Sequence, residues 1–156
     1  MGKRNGEKKG RTIIVTGGNQ GIGYYLAGHL LQEGNRVAVL DREMENLTDF
    51  QERYGENFAA YLCDAADEKA VVRCVGETVG RWGSVDIAVH NACRFAYLPF
   101  EETEDAIFQA VLGVNLYGAR HLAAAVLPYM KKQRSGRLIF TSSGVGVTGF
   151  ENVSPY

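Results

Sequence analysis

The stretch TIIVTGGNQGIG, residues 12–23, constrains this chain more than any other. Its first half is a continuous β-branched run, the pattern of a strand buried on both faces, which calls for a parallel sheet covered by helices. Its second half sets Gly17, Gly18, Gly21 and Gly23 directly ahead of an apolar helical segment. A strand that turns into a helix through glycines leaves N–H groups uncovered at the helix N-terminus, and these form an anion site. Without side chains at Gly17, Gly21 and Gly23, a pyrophosphate could approach the backbone. A tight turn also uses glycine for conformation alone, so the loop needs support from the rest of the chain.

Alternation along the chain supplies it. Further strands are expected at RVAVLD (36–41), FAAYLCD (58–64), VDIAVHN (85–91) and GRLIFTSS (136–143). Between them the spacing predicts four helices. The first runs over 21–34 with Ile22, Leu26 and Leu30 inward. The second covers 42–55 with Met44, Leu47 and Tyr54 inward, and the third 67–83 with acids in its first turn to suit the dipole. A long fourth helix is expected from about Thr103 to Lys132, kinked in its last turn by Pro128. Repeated strand–helix units imply right-handed crossovers and one α/β domain over 12–156, a Rossmann-like doubly wound parallel sheet of five strands in order 3-2-1-4-5. Nothing after the fifth strand covers it, so further strands and helices of such a sheet are expected to lie outside this sequence.

Charge narrows the partners. The formal net charge is −1, which gives no reason to expect nucleic acid or an acidic membrane as the main partner. Residues 1–11, MGKRNGEKKGR, hold five basic residues and one acid and are expected to be an exposed, mobile terminus. Met1–Gly2 does not make a myristoylation signal, because Gly6 stands where Ser or Thr is wanted. No apolar run approaches the length of a membrane span and no signal peptide opens the chain, so a cytoplasmic location is expected. Cys63, Cys74 and Cys93 show no metal-type spacing and are expected to be reduced and buried.

An acid closes the second strand. Asp41 stands 18 residues after Gly23, where a carboxylate can accept both hydroxyls of an adenosine ribose and would repel a 2′-phosphate. With the T-G-x-x-x-G-I-G turn at Thr16 to Gly23, the chain resembles the short-chain dehydrogenase/reductases from Thr16 to Tyr156. The resemblance implies a dinucleotide site that includes Gly17, Asn19, Gln20, Gly21, Ile22 and Gly23. It assigns Asp41 to NAD over NADP, while the neighbouring Arg42 could tolerate the phosphate of NADP. It places Asp64 and Ala65 at the adenine. H-N-A-C, His90 to Cys93, stands where the family usually has N-N-A-G. Asn91 and Ala92 match and line the cofactor; His90 departs and reads as a polar residue closing a buried strand; Cys93 puts a side chain where glycine leaves space. V-N-L-Y-G, Val114 to Gly118, resembles the family's V-N-L-x-G. Asn115 then matches an asparagine that bends the helix and holds a water in a proton relay, and in any fold it needs a buried partner.

Ser143 and Tyr156 lie thirteen residues apart, as the family's catalytic serine and tyrosine do. By resemblance, Ser143 holds the substrate oxygen and Tyr156 moves the proton of a carbonyl or secondary alcohol, the small-molecule partner of an NAD-dependent hydride transfer. The phenol needs a cation to bring its pKa down from about 10. The family supplies a lysine four residues after the tyrosine, beyond the last residue here. The 156-residue chain is therefore expected to be an N-terminal part without turnover of its own. A nucleotide-binding or interaction module without catalysis is the alternative. The family commonly forms homo-oligomers through the Asn115-bearing helix together with the helix that follows the tyrosine, and the same is expected of a full-length parent.

Overall fold

A computed structural model describes residues 10–156, so the basic segment up to residue 9 lies outside the described residues. Five strands, β1 (Thr12–Thr16), β2 (Arg36–Asp41), β3 (Phe58–Leu62), β4 (Ile87–His90) and β5 (Arg137–Phe140), form one parallel sheet in the order β3-β2-β1-β4-β5. β1 is central and all five of its residues are buried, as its unbroken apolar run requires.

Alternation along each strand divides the core into two layers. Ile14, Ala38 and Ala88 face helices α3 (Glu68–Trp82) and α5 (Gly118–Gln133), where Val71, Cys74, Val75, Leu122, Val126 and Met130 pack on them. Ile13, Val15, Val37, Val39 and Val89 face the other way, against α1 (Gly21–Gln32) and α2 (Thr48–Tyr54), with Ala27, Leu31 and Phe50. Each such side chain contributes about 1.5–3 kcal/mol on burial.

Local chemistry sets the helix ends. Asp67 caps α3, its carboxylate accepting from Lys69 N (2.9 Å) and Ala70 N (3.2 Å), and Gly83 ends it in the left-handed region. Gln133 at the end of α5 clamps the segment leading into β4, accepting from Val85 N (3.1 Å) and donating to Val85 O (3.0 Å).

Four expectations change. The buried face of α1 is Gly23, Ala27, Gly28 and Leu31, while Leu26 and Leu30 are half-buried and Ile22 is 75% exposed. Small residues make the contact because α1 lies close to its neighbours: a Cβ on Gly28 would come within 3.1 Å of the Phe50 ring of α2, and one on Gly23 would run into Gly17 O. α2 begins only at Thr48, since 42–47 form a loop tied to Asn19. The long helix is interrupted: α4 (Asp105–Leu112) passes through a π turn at Gly113–Tyr117 into α5, which runs on past Pro128 to Gln133. Cys63 and Cys74 are buried as expected, but Cys93 is exposed. The α4–α5 helix is long and apolar enough to cross a membrane by length and composition alone, yet Leu122, Ala125, Val126 and Met130 pack it into the domain core. At β5, Ile139 and Phe140 are exposed, as expected for a strand with little over it.

Candidate functional site

At the C-terminal ends of the strands, a cleft of about 710 Å³ opens between β1, where the strand order reverses, and its neighbours β2 and β4. Its floor is the β1–α1 loop. Gly17 takes φ +68° and donates its N–H to Leu40 O at 2.9 Å. A Cβ there would meet Ala92 Cα at 2.6 Å and Ala92 N at 2.8 Å, backbone atoms with no room to yield. A Cβ on Gly23 would run into Gly17 O and the Asn91 amide. Gly21 has φ +56°, lines the cleft, and has open space where a Cβ would stand. No side chain caps the first turn of α1. The loop is thus a bare backbone concavity at a helix N-terminus, suited to a phosphate group.

Asp41 forms one wall. Its Oδ2 accepts from Asn19 N at 2.8 Å and its Oδ1 from Glu43 N at 3.1 Å, which fixes the carboxylate and leaves a lone pair on each oxygen. Arg42 also lines the cleft, with Glu43 as its counter-charge at 3.6 Å. Cys63, Asp64 and Ala65 continue the wall from β3. The Asp64 carboxylate accepts from Ala66 N at 2.8 Å and starts the turn into α3. A hydrogen bond with Cys74, and then burial, pushes the Cys63 thiol well up, so it behaves as packing.

Gln20 and Ile22 line the cleft too, whereas two of the residues expected at the dinucleotide do not. Asn19 is buried beneath the loop: its Oδ1 accepts from Asn46 N (3.0 Å) and its backbone O from Asn46 Nδ2 (3.1 Å). Gly23 lies behind the cleft as a spacer. Both shape the loop from behind.

On the far wall, Asn91 and Ala92 lace β4 to the loop. Asn91 Nδ2 donates to Gly17 O (2.8 Å) and Thr16 O (3.3 Å), and the N–H groups of Asn91 and Ala92 donate to Thr16 Oγ1 at 3.2 and 3.1 Å. Sequence reasoning missed Thr16 as the hub of this join; a hydroxyl-bearing residue ending a buried strand was the available signal. His121, also missed, bonds Ala65 O through Nδ1 at 3.1 Å and ties α5 to the opposite wall.

Asn115 sits in the π turn and clasps the next loop from both sides. Its Oδ1 accepts from Arg94 N at 2.8 Å and its Nδ2 donates to Arg94 O at 3.0 Å. Arg94 and Phe95 line the cleft, and Phe95 meets the Tyr156 ring edge-on, centroids 5.0 Å apart. Asn115 and Tyr156 therefore converge on one short segment. Ser143 caps the turn Gly144–Gly146, its Oγ accepting from Val145 N at 3.5 Å. Neither Ser143 nor Tyr156 lines the cleft itself.

Comparison with known proteins agrees with this architecture. The chain is 32% identical over 148 residues to sorbitol dehydrogenase of Cereibacter sphaeroides, covering 94% of this chain and 58% of that protein. A short-chain dehydrogenase from Streptomyces avermitilis superposes with a TM-score of 0.90 at 28% identity, over 94% of this chain and 54% of that one. Xylitol dehydrogenase with bound NAD+ superposes with a TM-score of 0.87 at 32% identity, over 96% and 60%. The chain thus spans little more than half the length of the relatives it matches. With the family model for short chain dehydrogenases matching residues 11–156, nearly everything the structure describes, the chain belongs to the short-chain dehydrogenase/reductase family.

Proposed function

We propose that this chain is the nucleotide-binding part of an NAD(H)-dependent oxidoreductase acting on a carbonyl or secondary alcohol. One observation carries the reading: an uncapped helix N-terminus behind a glycine cradle faces a carboxylate pinned by two backbone N–H bonds. The relatives that are sorbitol and xylitol dehydrogenases, the latter with NAD+ bound, support the substrate class and the cofactor.

The residues present fit a dinucleotide. Gly17, Gly21 and the first turn of α1 would hold the pyrophosphate, and the free lone pairs of Asp41 would take the ribose hydroxyls. Asp64 and Ala65 would border the adenine, and Asn91 and Ala92 the nicotinamide side. The nicotinamide, when bound, supplies or accepts the hydride. Tyr156 takes or returns the hydroxyl proton, a task that requires a cation near its phenol. Ser143 orients the substrate oxygen. Asn115 fixes Arg94 and Phe95, and through the Phe95 ring steadies Tyr156.

Asp41 favours NAD, because a 2′-phosphate would face an anion held in place, and the nearby Arg42 is countered by Glu43. Leu116 and Tyr117 of the π turn, and Leu127 of α5, are exposed apolar residues and support self-association through this helix in the whole protein. Free thiols packed in the core, Cys63 and Cys74, support a reducing, cytoplasmic location. Calorimetric titration of the chain with NAD and NADP tests the cofactor assignment. The expected result is tighter NAD binding; tighter NADP binding would overturn the role of Asp41, and binding of neither by folded protein would overturn the function.

A further inference from the structure

At the end of β4 lies the one buried side-chain polar atom without a partner among the described residues, Nε2 of His90. The residue is 3% exposed. Its other ring nitrogen, Nδ1, lies 3.1 Å from Thr16 Oγ1. The direction of that bond follows from donor counting. Thr16 Oγ1 already accepts the N–H groups of Asn91 and Ala92, which fills its two acceptor sites. Its own proton must therefore go to Nδ1. This holds the ring neutral, with the imidazole proton on Nε2. That side of the ring packs under the long helix: a Cβ on Gly118 would stand 3.0 Å from His90 Cε1.

We propose that neutral His90 is a positioning residue for the dinucleotide cleft. By accepting the Thr16 proton it keeps that hydroxyl turned toward Asn91 and Ala92, and so keeps the Asn91–Ala92 wall closed on Gly17. The proposal rests on the dinucleotide reading above. The chain of contacts is short. Asn91 Nδ2 holds Gly17 O at 2.8 Å, and the Ala92 backbone is the surface against which Gly17 packs.

Protonation would break this arrangement. A second proton on the ring goes to Nδ1, where it would face the Thr16 hydroxyl proton. The hydroxyl must then swing, giving up one of its two N–H bonds, and the wall loosens at the point where it meets the loop. Burial disfavours the cation and is the larger effect, pushing the His90 pKa below its ordinary 6.5; the Val114 backbone opposes it, and no charged group contributes. Around the ring, Thr16 of β1, Phe140 of β5, Val114 of the π turn and Gly118 of α5 are all uncharged. No carboxylate at the site rescues the protonated form, so the neutral ring is the working state.

Calorimetric NAD titration between about pH 5 and 8, with circular dichroism to verify folding, tests this. With wild-type chain, affinity should be level at the upper end and then fall with a limiting slope of roughly tenfold per pH unit below the His90 pKa. The His90→Asn variant, which keeps an acceptor for Thr16 but does not titrate, should lose that slope. Nitrogen-15 spectra of the wild-type imidazole should show the proton on Nε2 at about pH 8 whatever the variant does. A level wild-type profile in folded protein, an unchanged slope in His90→Asn, or a proton on Nδ1 would overturn the proposal and leave the cleft reading standing. Failure of folded wild-type chain to bind NAD at any pH would overturn both.

Discussion

Gly17→Ala and Gly21→Ala are the same chemical change four residues apart, and the structure gives them different costs. Both positions have positive φ, +68° and +56°. An L-residue there costs roughly 1–2 kcal/mol, offset by about 0.4–1 kcal/mol from the reduced entropy of the unfolded chain. At Gly21 that is the whole account, because no atom lies within 4 Å of an added Cβ. The net cost should be about 1 kcal/mol. At Gly17 the added Cβ meets Ala92 Cα at 2.6 Å and Ala92 N at 2.8 Å. Those atoms are fixed, since Ala92 N–H bonds Thr16 Oγ1 and Asn91 ties the same segment to Gly17 O. Overpacking of this kind adds about 1–3 kcal/mol, for a total of roughly 2–4 kcal/mol. Urea denaturation reads the difference as a shift of midpoint at constant slope. NAD titration separates the two further: the Gly21→Ala methyl stands in the open cleft and should weaken NAD by more than roughly tenfold at little loss of stability. Equal destabilisation by the two substitutions, or a Gly17→Ala cost below about 1 kcal/mol, would refute the close-approach reasoning.

Other perturbations report on other contacts. Asn115→Ala removes both bonds to the Arg94 backbone and should cost about 1–2 kcal/mol, with faster hydrogen exchange at the Arg94 amide; unchanged exchange would show that the clasp holds nothing. Asp41→Ser removes the fixed anion, so NAD should bind more weakly and NADP more tightly; an unaltered NADP affinity would count against the electrostatic role given to Asp41. Stability should also depend on His90. Its folded pKa lies below the unfolded 6.5, so its contribution is complete above pH 6.5 and is lost as pH falls through the folded value. The wild-type urea midpoint should therefore drop more between about pH 7.5 and 5.5 than that of His90→Asn, and an equal drop in both would assign the loss to other groups.

Much of this could be read from the chain, and the failures have physical reasons. The strands were legible because β-branched runs buried on both faces have few alternatives, and Asp41 followed from its place at the end of one. The face of α1 was not. Fourfold spacing pointed to Ile22, but close approach to the β1–α1 loop and to Phe50 of α2 favours small residues such as Gly23 and Gly28, which carry no hydrophobic signal. Residues 42–47 have the composition of a helix, yet their backbone is taken up by Asn19 and Asp41, a competition that periodicity cannot reveal. The π turn at Gly113–Tyr117 leaves the apolar pattern almost unchanged, so Asn115 could be picked out but not its grip on Arg94. Thr16 escaped notice, and His90 was legible as a polar residue closing a buried strand but not as the partner of Thr16, because their contact depends on strands that meet only through the crossover of the sheet.

The central claim is that the β1–α1 loop and the walls at Asp41 and Asn91 form a dinucleotide site. Mapping backbone amide shifts of the folded chain during titration with NAD tests it most directly. The predicted result is a saturable set of changes at Gly17, Gly21, Ile22, Asp41, Ala65 and Ala92, the residues that meet in the cleft. Saturable shifts confined to the neighbouring hollow around Tyr24, Tyr25 and Asp49, or no saturable shifts at all, would contradict it.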